Sequence, residues 1–342
     1  MSERLADIAE RMVAHHKGLL AADESSSTIK KRFDTIELES TADSRRDYRE
    51  MLFRASAMKD YVSGVILYDE TIRQSARDGT PLVDLIKAAG AIPGIKVDTG
   101  AKPLAGFPGE TVTEGLDGLR ERLKEYYELG ARFSKWRAVI TIGERKPSYE
   151  ALLANAHALA RYAALCQEAG IVPIVEPEVL MDGPDAVHDI ATCYEVSEWT
   201  LKTVFEQLYY AKVDLEGTIL KPSMVIAGQK CPTQAGPDEV AEKTVKLLRA
   251  CVPAAVPGIA FLSGGQSSVL ATEHLSRMNA IGGLPWKLTF SYGRALQAAA
   301  LNAWGGKPEN VAAGQRAFDH RARMNALAAA GKWSLEIERQ AA

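Results

Sequence analysis

The 342-residue chain has few cysteines, little excess charge and no long apolar run. Its four cysteines are far apart and form no C-x-x-C pair, which argues against a zinc ribbon or a disulfide scaffold and predicts a reducing, cytoplasmic location. The net charge of −3 provides no basic field for nucleic acid or for an anionic membrane. Neither a signal-peptide core nor an apolar run of about 18 residues is present, so we expect no membrane span and no export by a signal peptide.

Two glycine motifs that bind nucleotide phosphates are also missing. The 27 glycines include no G-x-G pattern, and no G-K-[S/T] ending is found. A doubly wound sheet that binds nucleotides normally needs such a turn after its first strand, so this architecture is disfavoured. With 46% hydrophobic and 25% charged residues, the chain otherwise has the composition of an ordinary globular protein.

Short apolar and β-branched runs alternate with longer segments of helical periodicity along the whole chain. The predicted strands are Gly18–Ala22, Gly64–Tyr68, Ala91–Val97, Ala131–Ile140, Ile171–Val175, Asp214–Leu220, Gly258–Leu262 and Lys287–Phe290. The predicted helices between them include Asp117–Leu129, Tyr149–Ala169, Val187–Ala211, Glu239–Cys251 and Ser268–Asn279.

Eight strand–helix units without a linker predict an α/β fold built as a single (β/α)8 TIM barrel. Extra helices are predicted at Arg4–Ala14 and Val311–Ala330, before and after the barrel. We therefore expect one catalytic domain over residues 1–342, with the barrel at about 15–305 and a C-terminal helical extension and tail at about 306–342.

Polar and charged side chains lie within or just after seven of the eight predicted strands. In strand order they are Asp23 and Glu24, Lys96 and Asp98, Lys135 and Arg137, Glu176 and Glu178, Lys221, Ser263–Gly265, and Ser291 with Arg294. The carboxyl ends of barrel strands converge on one mouth, where such enzymes carry their active sites. A helix cap, a salt bridge or a tight turn explains any one of these residues, but capping does not explain lysines on three different strands. The set therefore predicts an active site.

The segment Val213–Pro222 carries the central residue of this prediction, because the mostly apolar run ends at Lys221. A neighbouring cation such as Lys135 lowers the pKa of a desolvated lysine, whose free amine then attacks a carbonyl. Glu176 is placed to donate the proton that expels water from the adduct, and Asp23 to remove a hydroxyl proton as a carbon–carbon bond breaks.

Two groups of anion-binding residues flank the predicted nucleophile. Ser263–Gly265 and Arg294 form a loop of the type that binds phosphate after the seventh and eighth barrel strands. A second anionic site is predicted across the mouth from Lys96, Ser25, Thr28 and Arg32. Two phosphate sites beside an imine-forming lysine imply a bisphosphorylated ketose as the substrate.

Seven segments, in order and along nearly the whole chain, resemble the class I (Schiff-base) fructose-1,6-bisphosphate aldolase family. They are Lys17–Ser25, Gly94–Asp98, Lys135–Arg137, Ile171–Glu178, Glu216–Pro222, Phe261–Ser267 and Phe290–Gln297. The resemblance implies reversible cleavage of fructose 1,6-bisphosphate to dihydroxyacetone phosphate and glyceraldehyde 3-phosphate, in glycolysis or gluconeogenesis, with no metal or other cofactor. It also implies a cytoplasmic homotetramer whose partners are phosphorylated sugars.

The same resemblance implies a role for each matching position. Lys221 is implied as the Schiff-base lysine and Glu176 as its acid and base, while Asp23, Lys135 and Glu178 complete the catalytic set. The residues implied to bind the substrate are Arg32, Lys96, Ser25, Thr28, Arg137, Ser263, Gly264, Gly265, Ser291, Gly293 and Arg294.

Three positions depart from the family pattern. Many members end in a tyrosine on a mobile tail that helps to protonate the enamine, whereas this chain ends Leu335–Ala342 without one. We therefore expect slower proton exchange at the dihydroxyacetone-phosphate carbon, or Glu176 acting alone. The loop Ser25–Thr28 lacks a glycine often found there, and Thr99 replaces a common lysine. Both changes lie near the predicted six-phosphate site. We therefore expect them to affect the affinity for substrate and the preference between fructose and sedoheptulose bisphosphate.

Three alternatives remain open from the sequence. A zinc-dependent aldolase needs about three histidines and a carboxylate around the metal, and activity lost to a chelator and restored by zinc would identify it. The six histidines, which form no H-x-x-x-H pair, are His15, His16, His157, His188, His274 and His320. A non-catalytic barrel is distinguished by absent turnover of fructose 1,6-bisphosphate, and a transaldolase-like enzyme by a higher kcat/KM for a monophosphate.

Overall fold

The computed structural model describes residues 3–183 and 186–340, and a closed parallel barrel lies at its centre. In chain order the strands are β1 (Gly18–Ala22), β2 (Val62–Leu67), β3 (Ile92–Lys96), β4 (Gly100–Pro103), β5 (Thr111–Glu114), β6 (Phe133–Ile140), β7 (Val172–Val179), β8 (Ile219–Leu220), β9 (Gly258–Phe261) and β10 (Lys287–Tyr292). Around the barrel the order is β1-β10-β9-β8-β7-β6-β3-β2, with β2 pairing back to β1. The predicted (β/α)8 barrel is confirmed.

Helices surround the barrel and extend beyond it at both termini. They are α1 (Leu5–Met12), α2 (Ser26–Asp34), α3 (Ala42–Phe53), α4 (Ala57–Asp60), α5 (Asp69–Ile72), α6 (Leu82–Ala88), α7 (Leu119–Glu128), α8 (Tyr149–Glu168), α9 (Ile190–Tyr210), α10 (Pro237–Cys251), α11 (Ser268–Ile281), α12 (Arg294–Trp304), α13 (Val311–Ala329) and α14 (Leu335–Gln340). The predicted helices are confirmed, with small shifts at their ends. Side-chain caps fix several starts, as where Ser148 accepts the N–H of Ala151 and Asp189 that of Thr192.

Within the two described ranges, no helix has the length and apolar character needed to cross a membrane. The last two residues of the predicted C-terminal tail, Ala341 and Ala342, lie outside those ranges.

Helix α1 closes the amino-terminal end of the barrel. Ile8 and Met12 of this helix pack in one buried apolar cluster with Leu19, Phe133 and Ile174 of the strands. Burying each such side chain contributes about 1.5–3 kcal/mol to folding. Apolar side chains fill this end of the barrel, and the polar residues of the strands lie at the opposite, carboxyl end.

Strand register places the predicted site residues next to one another. Lys96 of β3 lies opposite Lys135 of β6, and Arg137 of β6 lies opposite Glu176 of β7. The backbone N–H of Lys221 donates to the carbonyl of Val175, 2.8 Å away, which fixes the lysine beside β7. Three adjacent strands and the end of β8 therefore contribute to a single site.

The predicted strand Asp214–Leu220 is wrong over most of its length, since only Ile219–Leu220 pairs with neighbouring strands. Its first half is a turn held by side chains. Gln167 Nε2 donates to the carbonyl of Asp214 at 2.7 Å, and Thr218 Oγ1 donates to the same oxygen at 2.8 Å. That carbonyl is bound by side chains rather than by another strand.

Strand β7 is longer than predicted, so Glu176 and Glu178 lie within it rather than after it. The antiparallel hairpin of β4 and β5 was not predicted at all. It follows β3 and lies against the mouth, where Thr113 Oγ1 donates to the carbonyl of Arg137 at 2.8 Å.

Candidate active site

Two lysines and two carboxylates form a continuous chain of charges at the carboxyl end of the barrel. Lys221 Nζ lies 3.1 Å from Glu176 Oε1, and Glu176 Oε2 lies 3.3 Å from Lys135 Nζ. Lys135 Nζ also lies 2.7 Å from Asp23 Oδ2. Asp23 is the most exposed of the four, with 12% of its side chain accessible. Ion pairs shielded from water in this way interact far more strongly than pairs on the surface.

Burial and charge compete in setting the protonation of this chain of residues. Burial alone would raise the pKa of Asp23, but the nearby lysines, Lys135 first among them, hold it well below its usual range. The pKa of Glu176 is lowered in the same way, because Lys135 and Lys221 outweigh its burial. Burial would lower the pKa of Lys135, yet Asp23 and Glu176 raise it well above the ordinary lysine value. At neutral pH both carboxyls are ionised and Lys135 is charged.

Two adjoining chambers open onto these residues, chamber A onto all four and chamber B onto Asp23 and Lys135. Chamber A, with a volume of about 830 Å³, is lined by Lys221, Glu176, Glu178, Ser263, Gly264, Ser291 and Arg294. Chamber B, of about 530 Å³, is lined by Lys96, Asp98, Ser25 and Arg137. Asp23, Thr28, Arg32, Lys135 and Gly293 line both chambers. A ligand with an anionic group at each end would extend through both chambers past Lys135, with Lys221 on the side of chamber A.

The loop Ser263–Gly265 after β9 has its carbonyl oxygens occupied by donors. The Ser263 oxygen accepts the backbone N–H of Gln266 and its side-chain Nε2, both at 3.1 Å. Arg294 Nη2 donates to the Gly264 oxygen at 3.1 Å, and Gln229 Nε2 donates to the Gly265 oxygen at 2.9 Å. Carbonyl oxygens repel anions, so engaging all three with donors suits a phosphate site. Gly264 has a φ of +54°, a conformation that favours glycine.

Chamber B carries cations that are already paired. Lys96 Nζ lies 2.6 Å from Asp98 Oδ1, and Arg137 Nε pairs closely with Glu178 Oε2. Ser25 Oγ accepts the N–H of Thr28 at 3.3 Å as the cap of α2, so its ordinary structural explanation also holds. A phosphate in this chamber would have to share or displace these carboxylate partners.

Every predicted site residue except Gly265 lines one of the chambers. The N–H of Gly265 donates instead to Met181 Sδ at 3.2 Å, from the loop after β7. Tyr48 and Gln297 also line chamber A, but the sequence did not predict them as site residues. Both lie in helices far apart in the chain, and neither position stands out from its neighbours in the sequence.

No group of three or more histidine, cysteine, aspartate or glutamate side chains within residues 3–183 and 186–340 is arranged to hold a metal ion. The charged side chains of the chamber linings are lysines, arginines and carboxylates, and hydroxyl groups lie among them. These groups suit an anionic, oxygen-rich substrate better than they suit zinc, which prefers nitrogen and sulfur ligands.

The mouth of the (β/α)8 barrel brings buried lysines together with carboxylates and an anion-binding loop. This combination defines a barrel enzyme that acts on phosphorylated substrates. Comparison with known proteins makes this specific. Residues 4–342 match the model of the class I fructose-bisphosphate aldolase family. The chain belongs to this family, whose members are lyases that work without a metal.

Individual relatives are similar to this chain over nearly their whole length. A probable class 1 fructose-bisphosphate aldolase of Xanthomonas axonopodis pv. citri is 59% identical over 332 residues, which is 97% of this chain and 98% of that protein. A fructose-bisphosphate aldolase of Echinococcus multilocularis is 50% identical over 98% of this chain and 92% of its own. The solved aldolase of Plasmodium falciparum superposes with a TM-score of 0.94 at 48% identity, covering 96% of this chain and 95% of that one.

Proposed function

We propose that Lys221 cleaves fructose 1,6-bisphosphate through a covalent imine with the keto carbon of the sugar. The observation that carries this proposal is the position of Glu176, whose two oxygens contact Lys221 at 3.1 Å and Lys135 at 3.3 Å. One carboxylate beside the amine can take its proton and return it at the next step.

Imine formation begins with a proton transfer from the Lys221 ammonium to Glu176, which is ionised because the lysines lower its pKa. The free amine then attacks the keto carbon, and its second proton passes to the former carbonyl oxygen to give a neutral carbinolamine. Glu176 donates its proton to that hydroxyl, which leaves as water, and the nitrogen lone pair forms the iminium. Glu176 returns to its ionised form.

Bond cleavage uses the next members of the chain of charges. Asp23 removes the proton from the hydroxyl on the carbon beyond the bond to be broken, with Lys135 orienting it at 2.7 Å. The C3–C4 electron pair moves to the iminium and forms an enamine, and glyceraldehyde 3-phosphate leaves. The enamine carbon takes up one proton as Asp23 releases the one that it removed, and addition of water to the resulting iminium releases dihydroxyacetone phosphate and restores the Lys221 ammonium.

The substrate phosphates bind on either side of the lysines in this proposal. Ser263, Gly264, Ser291, Gly293 and Arg294 hold the phosphate next to the keto carbon in chamber A, where the loop carbonyls are already engaged. The second phosphate takes Lys96, Ser25, Thr28 and Arg137 in chamber B, and Arg32 borders both chambers. Glu178 holds Arg137 in place, and Gly265 acts through its neighbours in the loop.

We further propose that the chain works as one catalytic domain in the cytoplasm, as a homotetramer serving glycolysis and gluconeogenesis. The family, a cytosolic relative in Arabidopsis thaliana and the single closed barrel support this assignment.

The test is turnover of fructose 1,6-bisphosphate by the wild-type chain and by Lys221→Met, with and without a chelator. A thioether of similar volume cannot form the imine, so turnover should vanish while circular dichroism shows that the fold is kept. Lys202→Met is the matched control, because Lys202 is an exposed lysine of α9 that pairs only with Glu198 among the described contacts. Full turnover by Lys221→Met, or zinc-dependent turnover by the wild type, would overturn the proposal.

A further inference from the structure

A fully buried arginine pairs with Glu24, a residue that lines chamber B, and lies outside the machinery described above. Arg49 belongs to α3, and only 2% of its side chain is exposed. Its Nη2 lies 2.9 Å from Glu24 Oε2, and its Nε donates to the carbonyl of Ala22 at 3.3 Å. A buried guanidinium is costly to desolvate, so its position calls for a physical explanation.

Glu24 is shared between this buried arginine and one that faces the substrate chambers. Its Oε1 pairs closely with Arg32 Nη1 and also accepts Gln297 Nε2 at 3.0 Å. Only 3% of the Glu24 side chain is exposed, whereas 23% of Arg32 is accessible from the chambers. The carboxylate thus fixes the orientation of Arg32 from behind, and Gln297 is held in turn by the hydroxyl of Tyr48 at 3.1 Å.

A carboxylate next to a phosphate-binding arginine has an unfavourable side effect. Its negative charge cancels the positive charge that attracts the phosphate. In this network two guanidiniums share one carboxylate, which leaves one net positive charge at the chamber wall. Since these groups are shielded from water, the remaining charge acts on a phosphate with little screening.

We propose that Arg49 is a positioning residue that compensates the charge of Glu24, so that Glu24 can orient Arg32 without neutralising it. This inference rests on the proposed function only in taking Arg32 as a phosphate ligand. Arg49 touches neither the substrate nor the lysines, so it should influence binding of phosphate far more than the chemical steps.

A pair of substitutions separates charge compensation from a merely structural role. Arg49→Met leaves Glu24 paired with Arg32 alone, so the net charge at the wall falls to zero. We expect the dissociation constant for inorganic phosphate and the KM for fructose 1,6-bisphosphate to rise roughly tenfold, because one unit of positive charge that attracts the phosphate is lost. The kcat should stay within about twofold. Adding Glu24→Gln to Arg49→Met restores one positive charge and should bring both constants back toward wild type.

Arg49→Lys keeps the charge but loses the forked geometry, and it should retain phosphate affinity within about threefold. Titration calorimetry with inorganic phosphate measures binding without turnover, and circular dichroism confirms that each variant folds. Unchanged phosphate affinity in Arg49→Met would refute the inference, and so would a double variant that binds no better than the single one. Failure of the proposed aldol cleavage would be visible separately, as absent turnover by a wild type that still binds phosphate.

Discussion

Replacing Glu176 by glutamine preserves the size of the side chain and removes the charge that lies between the two lysines. An amide cannot take the proton of Lys221, whose Nζ lies 3.1 Å from Glu176 Oε1, and cannot protonate the departing hydroxyl. General acid–base catalysis by one positioned group accounts for about 10²- to 10⁴-fold in rate. We therefore expect kcat to fall about 10³-fold, which corresponds to a barrier higher by about 4 kcal/mol.

The KM of Glu176→Gln should change only a few-fold, because the anion-binding loop and Arg294 lie elsewhere in chamber A. Glu176 is almost fully buried between Lys135 and Lys221, so the variant should also lose roughly 3 kcal/mol of unfolding free energy. Steady-state kinetics well below the unfolding temperature separates these effects.

Glu168→Gln is the matched control. Glu168 is the last residue of α8, is exposed, and pairs with Arg120 of α7. Its ion pair is exposed to water and contributes little to stability, and the kinetics of this variant should match wild type. A Glu176→Gln variant with kcat within tenfold of wild type would show that this carboxylate is not the acid and base of the reaction.

Three further substitutions test other parts of the account. Lys135→Ala should lower kcat and move the acidic limb of the pH–rate profile to higher pH, because Lys135 lowers the pKa of Glu176. An unchanged acidic limb would rule out this electrostatic effect of Lys135. Burial lowers the pKa of His274 to about 4, so the unfolded chain binds a proton first as pH falls and the folded state loses stability. Between pH 7 and pH 4.5 this group should cost about 2 kcal/mol, and urea unfolding of His274→Asn should lack that part of the loss. Met181→Leu removes the acceptor of the Gly265 N–H and weakens the loop that carries Ser263 and Gly264, so KM should rise about two- to fivefold, and an unchanged KM would contradict the proposed support of this loop by Met181.

The barrel was predictable because its strands are continuous apolar runs that are buried on both faces, as in Leu19 and Leu20 of β1. Two local features were not. The sequence before β8 has strand-like residues, yet the Gln167 side chain binds a carbonyl in that segment and holds it in a turn. The hairpin of β4 and β5 has only four residues in each strand, too few for an alternating pattern to indicate a strand.

For the candidate site, the sequence predicted which residues meet but not how they are paired. The alternation of side chains along each strand, and the convergence of the carboxyl ends of parallel strands, predicted that Lys135, Glu176 and Lys221 lie close together. The sharing of Glu176 by two lysines depends on barrel closure and on side-chain direction, which spacing does not determine. Arg49 was missed because α3 is rich in charged residues and reads as a solvated helix, although tertiary packing buries this one arginine completely.

The most direct test of the account is chemical trapping of the imine. Borohydride added with fructose 1,6-bisphosphate should inactivate the enzyme and attach one reduced sugar-phosphate moiety, which peptide mass mapping places on Lys221. Borohydride without substrate should leave the chain unmodified. Normal cleavage with Lys221 unlabelled, or labelling at Lys135 instead, would contradict the claim that Lys221 forms the covalent bond to the substrate.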